Sequence, residues 1–144
     1  MTENELLGIV GSISHEVRQS FYYMFSAYCF LDGKVPETAR ELLTEIGRIC
    51  QKLRKEIDAF PSNIDQQSAG AASGQIRSYA IKWKKETDHL SYLINEIKNL
   101  NIQMENHSLN EFLNEILSHS LQNFSKLVDS MTAIQAKDLI TKHI

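Results

Sequence analysis

The sequence has few residues that would interrupt or cross-link a chain. Only two prolines and six glycines occur in 144 residues, which leaves room for long helices. The two cysteines, Cys29 and Cys50, lack the spacing of a metal or redox motif, so we expect two reduced thiols in a reducing compartment. The longest apolar run, 21–31, is too short to cross a bilayer, and the acidic stretch 2–5 is unlike a secretory signal. We therefore expect a single cytoplasmic domain without membrane insertion.

The charge pattern and the missing motifs exclude several function classes. The net charge is −3, and no basic stripe is present that could follow a phosphate backbone, which argues against nucleic-acid binding. The sequence has no phosphate-binding loop, dinucleotide fingerprint, zinc-ligand spacing or Ser-His-Asp order. No cofactor and no metal ion are therefore expected.

Apolar residues recur at helical spacing in four segments. The first segment carries the seam Leu6, Val10, Ile13, Val17, Met24, Tyr28 and Leu31. Asp32 and Gly33 are expected to end it, and Pro36 with Glu37 suits the first turn of a second helix. The second segment continues to Phe60, and Pro61 is expected to end it.

The second half predicts a linker followed by two more helices. Residues 61–75 are rich in small and polar residues and are expected to form a linker or a long loop. The third segment begins at 76, and the fourth is expected to begin at an N-cap Ser108, with Glu111 as its capping-box partner. The tail after 134 either continues the fourth helix or forms a short extra one. The predicted fold is all-α and antiparallel, resembling a four-helix bundle made within one chain or completed by a dimer.

His15 points away from the apolar seam of the first segment. It shares its helical face with Gly8, Gly11, Ser12, Arg18, Gln19, Tyr22 and Ser26. A glycine inside a helix costs roughly 1 kcal/mol relative to alanine. Two of them beside a histidine indicate either that another molecule approaches closely or that a neighbouring helix packs there.

The motif Ser14-His15-Glu16-Val17-Arg18 resembles the phosphoacceptor box of sensor histidine kinases. Residues 1–60, including Leu53 and Asp58, look like the helical hairpin of that family's dimerisation and phosphoacceptor domain. The resemblance implies a homodimer and a phosphoacceptor histidine at His15. The chain departs from the family pattern at Gln19, which replaces Thr or Asn, and at Ser20, which replaces a proline that kinks the helix.

The resemblance implies phosphotransfer without autokinase activity, because no glycine-rich nucleotide-binding box follows the hairpin. The expected partner is a receiver domain of a response regulator or another signalling protein. His15 would accept the phosphoryl group, and Glu16 would hydrogen-bond or deprotonate the imidazole. Arg18 would offset phosphoryl charge, and Gln19 would orient a water or a phosphoryl oxygen. Partner contacts are expected at Gly8, Gly11, Ser12 and Tyr22.

Two other functions compete with phosphotransfer. One is a non-catalytic helical interaction or adaptor protein, in which the His15 motif is accidental. The other is a metal-binding bundle, suggested by the Glu86-x-x-His89 spacing. That site would need further ligands, for which the sequence offers Glu41, Glu45, Glu115 and His119.

Overall fold

The computed structural model is 87% helical and, over the residues it describes (3–64 and 68–141), contains no strand, which confirms the all-α class. The helices in chain order are α1 Glu3–Leu31, α2 Glu37–Asn63, α3 Ala69–Asn99, α4 His107–Glu111, α5 Leu117–Thr132 and α6 Ala136–Thr141. A π-helical turn, Phe112–Ile116, joins α4 and α5 into one continuous rod. None of the described helices is both long enough and apolar enough to cross a membrane.

Contacts between neighbouring helices show an up-down-up-down bundle. The Tyr22 hydroxyl of α1 bonds to Asp58 near the end of α2, and Lys52 of α2 pairs with Glu86 of α3. α5 returns beside α1, with the ring of its Phe124 5.7 Å from that of Phe21. Each long helix therefore packs against its two neighbours in the ring α1–α2–α3–α5, and a single chain closes the bundle.

Large side chains from all four long helices fill the centre. Phe21, Phe60, Trp83 and Phe124 are completely buried, and each comes from a different helix. The Trp83 indole nitrogen donates a hydrogen bond to Glu56, so this buried polar atom has a partner. The predicted seam of α1 is buried wherever its side chains are described, except for the half-buried Tyr28; the side chain of Leu6 lies outside the described part.

The connection between α1 and α2 agrees with the sequence prediction. α1 ends at Leu31, and Gly33 has a φ of +75°, a left-handed conformation that glycine adopts without strain. Pro36 immediately precedes α2, and Glu37 lies in its first turn. The tight turn sets α1 and α2 antiparallel.

The predicted linker 61–75 is mostly helical in the structure. α2 runs past Pro61 to Asn63, because Phe60 and Ile64 are both buried in the core and hold the last turn in place. α3 already begins at Ala69, where the Ser68 hydroxyl caps the helix by accepting from the Ala71 amide. The connection is therefore confined to 64–68, of which 65–67 lie outside the described residues.

The start of the fourth segment also differs from the prediction. Asn106 is the N-cap residue, and its side-chain oxygen accepts from the Leu109 amide, so Ser108 lies inside the first turn of α4. Both residue types are good caps, and the sequence alone does not choose between them. The tail forms the short separate helix α6, one of the two predicted alternatives, and residues 142–144 lie outside the described part.

Candidate functional site

The N-terminal half of α1 has a buried inner side and a free outer side. Ile13 and Val17 are buried in the core, and Ser14 is buried beside them. Four residues of the opposite side are exposed, and we call them the outer face of α1: Gly8, Gly11, Ser12 and His15. The structure thus brings together three of the four predicted partner-binding residues and the predicted phosphoacceptor.

The glycines of the outer face contact no neighbouring helix. A β-carbon added at Gly8 or Gly11 would meet no heavy atom within 4 Å beyond the backbone of its own helix and adjoining residues. The alternative that these glycines allow close packing of another helix is therefore wrong for the described part of this chain. The outer face stays open to approach from outside.

Arg18 and Tyr22 continue the His15 face toward α2, where both meet Asp58. The Tyr22 hydroxyl lies 3.0 Å and 3.1 Å from the two carboxylate oxygens of Asp58, to which it donates a shared hydrogen bond. The Arg18 Nε atom is 3.8 Å from the same carboxylate, a long ion pair between side chains that are 52% and 41% exposed. On the side of His15 that faces α2, the Arg18 guanidinium therefore lies near a carboxylate that offsets part of its charge.

Glu16 and Gln19 lie on the other side of His15, toward α5. They line a shallow groove between α1 and α5 with Ser20, Tyr23, Ser120 and Asn123. Adjacent residues of a helix do not face each other, and among the described residues no hydrogen bond joins Glu16 to His15. The role of Glu16 as a hydrogen-bond partner or base of His15 stays a prediction.

The residues suggested for a metal site form no metal-binding group in the described part of the chain, and two of them are paired with cations. Among the described residues, no group of three or more His, Cys, Asp or Glu side chains could hold a metal ion. Glu86 pairs with Lys52, and Glu45 pairs with Arg48. The hydrogen bond from Arg48 lowers the pKa of the Glu45 carboxyl, as expected for an ion pair rather than a vacant ligand.

The two cysteines differ in their surroundings. Cys50 is buried, and this burial raises the pKa of its thiol from 9.0 to about 12. Cys29 is exposed, yet partial desolvation raises the pKa of its thiol too. Neither thiol has the lowered pKa that a nucleophilic cysteine needs.

Sequence reasoning missed two residues. Asp58 was noted only as part of the hairpin resemblance, and counting outward from the turn at 32–36 would have placed it opposite Val10 rather than beside Arg18 and Tyr22. Gly47 of α2 is buried under the Tyr28 side chain, whose ring and hydroxyl occupy the space of a β-carbon. No sequence pattern signals this close approach, because it depends on the distance between two helices.

Comparisons with known protein families, with curated proteins and with solved structures find no match. The interpretation of the site therefore depends on the geometry of this chain and on its short phosphoacceptor-like motif.

Proposed function

We propose that this chain is a histidine phosphotransfer or regulatory module of two-component signalling, with His15 as phosphoacceptor. The observation that carries the proposal is an exposed histidine on the open outer face of α1, one helical turn from a cation. These 144 residues contain no nucleotide-binding motif, so they would exchange phosphoryl groups with a partner rather than take them from ATP.

The transfer itself needs little from the protein beyond position and charge. One nitrogen of a neutral His15 imidazole attacks the phosphorus of an aspartyl phosphate. The new N–P bond forms as the acyl-phosphate O–P bond breaks, and the aspartate leaves as a carboxylate. The proton on the other nitrogen passes to solvent, since the side chain is exposed. The Arg18 guanidinium, one turn away on the same face, offsets charge on the phosphoryl oxygens.

The open glycines explain how a partner would reach the imidazole. A phosphorylated aspartate lies in a receiver domain, so the two backbones must approach until the phosphorus is within about 3–3.5 Å of the imidazole nitrogen. Gly8 and Gly11 project no side chain into that space, and Ser12 adds only a small hydroxyl. We infer that these residues form the docking surface.

The direct test is transfer of radioactive phosphate. Receiver domains from the same genome are phosphorylated with a labelled small phosphodonor and mixed with the chain. We expect an acid-labile, base-stable label that peptide mapping assigns to His15. A panel of receivers that leaves no label on the chain would contradict the proposal.

The rival function is a non-catalytic interaction or adaptor protein. The observation in its favour is the α1–α5 groove, where the Tyr23 side chain is 63% exposed on the surface. Tyrosine is enriched at the centres of protein interfaces. If the chain binds a partner that survives His15→Ala but is lost with Tyr23→Ala, the adaptor function is favoured.

The predicted homodimer remains a prediction. A kinase-type hairpin needs a second copy to bury its apolar seam, whereas here α3 and α5 cover the seams of α1 and α2. Light scattering at micromolar concentration decides between a monomer and a dimer. A dimer would have to use a surface outside this core.

A further inference from the structure

We infer that Asp58 competes with a phosphoryl group on His15 for Arg18, so that the module passes phosphoryl groups on rather than storing them. The inference extends the proposed function to the direction of transfer at the same site. It starts from Asp58, a residue of α2 that contacts the side chains of Arg18 and Tyr22 on the His15 face.

The first step is the long ion pair between Asp58 and Arg18. The Nε atom of Arg18 lies 3.8 Å from the carboxylate, a distance that exceeds a hydrogen bond. Among the described residues no other carboxylate pairs with the guanidinium, and no hydrogen bond joins its terminal nitrogens to a protein acceptor. An oxyanion on His15, one turn away, would find these donors in the fork that suits phosphate.

The second step concerns the hydrogen bonding and solvation of Asp58 after Arg18 has turned to the phosphoryl group. The Tyr22 hydroxyl donates to the carboxylate from α1, and 41% of the Asp58 side chain is exposed to water. The carboxylate therefore keeps a hydrogen-bond donor and its solvation without Arg18. The exchange of partners leaves no buried charge behind.

The third step is the sign of the effect. While Asp58 is ionised, its negative charge repels a phosphoryl dianion and also lowers the free positive charge of Arg18. Both effects destabilise phosphohistidine relative to the phosphorylated partner. Replacing Asp58 by the isosteric asparagine should thus strengthen anion binding, whereas a residue that merely positioned Arg18 would weaken it when removed.

The experiment measures binding of inorganic phosphate without any signalling partner. The probe is titrated at pH 7.5 and low ionic strength, and NMR shifts of the His15 imidazole and the Arg18 Nε–H report binding. Screened repulsion between two charges near a protein surface predicts about two- to fivefold tighter binding for Asp58→Asn, and we expect a loss of the response for Arg18→Gln. Tyr22→Phe removes the hydroxyl that bonds to Asp58. Asp58 then interacts with Arg18 alone, and phosphate binding should weaken slightly.

The matched control is Asp129→Asn. Asp129 is an exposed aspartate paired with Lys84 on the α3–α5 side, so its replacement makes the same charge change at a distance. Equal strengthening by both variants, unchanged or weaker binding with Asp58→Asn, or no phosphate response at all would overturn the inference.

Labelling separates this inference from the proposed function. Phosphoramidate is used to phosphorylate His15 directly, and the lifetime of the phosphohistidine is followed by ³¹P NMR. Asp58→Asn should lengthen that lifetime. A wild-type chain that takes no label but shows the predicted phosphate titration overturns only the proposed function. A labelled chain in which Asp58→Asn weakens phosphate binding overturns only the competition.

Discussion

The two sides of α1 differ in what touches them. On the inner side Val17, Phe21 and Met24 are almost completely buried against the core. On the outer side His15 is exposed, and a β-carbon at Gly11 would meet open space within the described part of the chain. A residue on the inner side is therefore constrained by packing, whereas packing does not constrain a residue on the outer side.

The glycines show the same contrast. Gly47 has a reason within the fold, because the Tyr28 side chain lies where a β-carbon would be. Gly8 and Gly11 carry the same helix-weakening cost with open space around them. Packing within the described part of the chain therefore explains Gly47 but gives no reason for Gly8 and Gly11.

The largest effect is expected from Phe21→Ala, set against its neighbour Tyr23→Ala. Phe21 is completely buried and contacts Phe124, so its truncation leaves a cavity and should cost about 3–5 kcal/mol of the free energy of unfolding. Tyr23 is 63% exposed, and its truncation should stay within about 0.5 kcal/mol. Urea denaturation of both variants gives the two values. Similar losses of unfolding free energy in the two variants would contradict the distinction between the inner and outer sides of α1.

Gly47→Ala should lower the free energy of unfolding by roughly 1–3 kcal/mol, because the added methyl overpacks the contact with Tyr28. The double variant with Tyr28→Ala should recover part of that loss, since the obstructing ring is gone. A double-mutant cycle on urea denaturation measures the coupling. Strict additivity would mean that the two residues do not meet as described.

Much of the fold followed from the sequence, because long apolar seams and the Gly33 turn are local signals. The misplaced boundaries came from tertiary packing. Burial of Phe60 and Ile64 carries α2 past Pro61, and the Ser68 cap starts α3 within a segment whose composition suggested a loop.

The candidate site was predictable only along α1. Helical spacing placed Gly8, Gly11 and His15 on one exposed face, as the structure confirms. Asp58 comes from another helix, and Glu16 lines the α1–α5 groove, so both depend on how the helices are set against one another.

The two cysteines, one buried and one exposed, allow a prediction of how stability depends on pH. Burial raises the pKa of Cys50 to about 12 in the folded state, so above pH 9 the unfolded chain loses this proton first. The unfolded state then binds fewer protons, and stability should fall with rising pH by up to about 1.4 kcal/mol per unit from this group. Urea denaturation at pH 8, 9.5 and 10.5 measures the slope. Cys50→Ala should flatten it more than Cys29→Ser does, and equal slopes would contradict the assignment.

Gly11→Ala should stabilise the chain by about 0.4–1 kcal/mol, because the new methyl meets open space and the unfolded chain loses freedom. Gly47→Ala is the matched variant, and it is expected to lower the free energy of unfolding instead. Gly11→Leu should fold as well as the wild type yet reduce phosphoryl exchange with a receiver, since its side chain enters the docking surface. Thermal melting and labelling are compared on the same preparation, and unfolding of Gly11→Leu would place this position in a packed contact.

Replacing His15 should have the smallest effect on stability and the largest effect on phosphotransfer. Its side chain is exposed and has no hydrogen-bond partner among the described residues, so His15→Ala should change the free energy of unfolding by no more than about 0.5 kcal/mol. The same variant should lose all label from a phosphorylated receiver, and His15→Gln should behave likewise because an amide cannot form the N–P bond. Glu16→Ala is the comparison variant: it keeps the phosphoacceptor, so labelling should persist, and slower labelling would indicate the predicted role of Glu16 as a base. Label that persists in His15→Ala would move the chemistry to another histidine, such as the exposed His89, His107 or His119, and would leave the outer face of α1 as a docking surface alone.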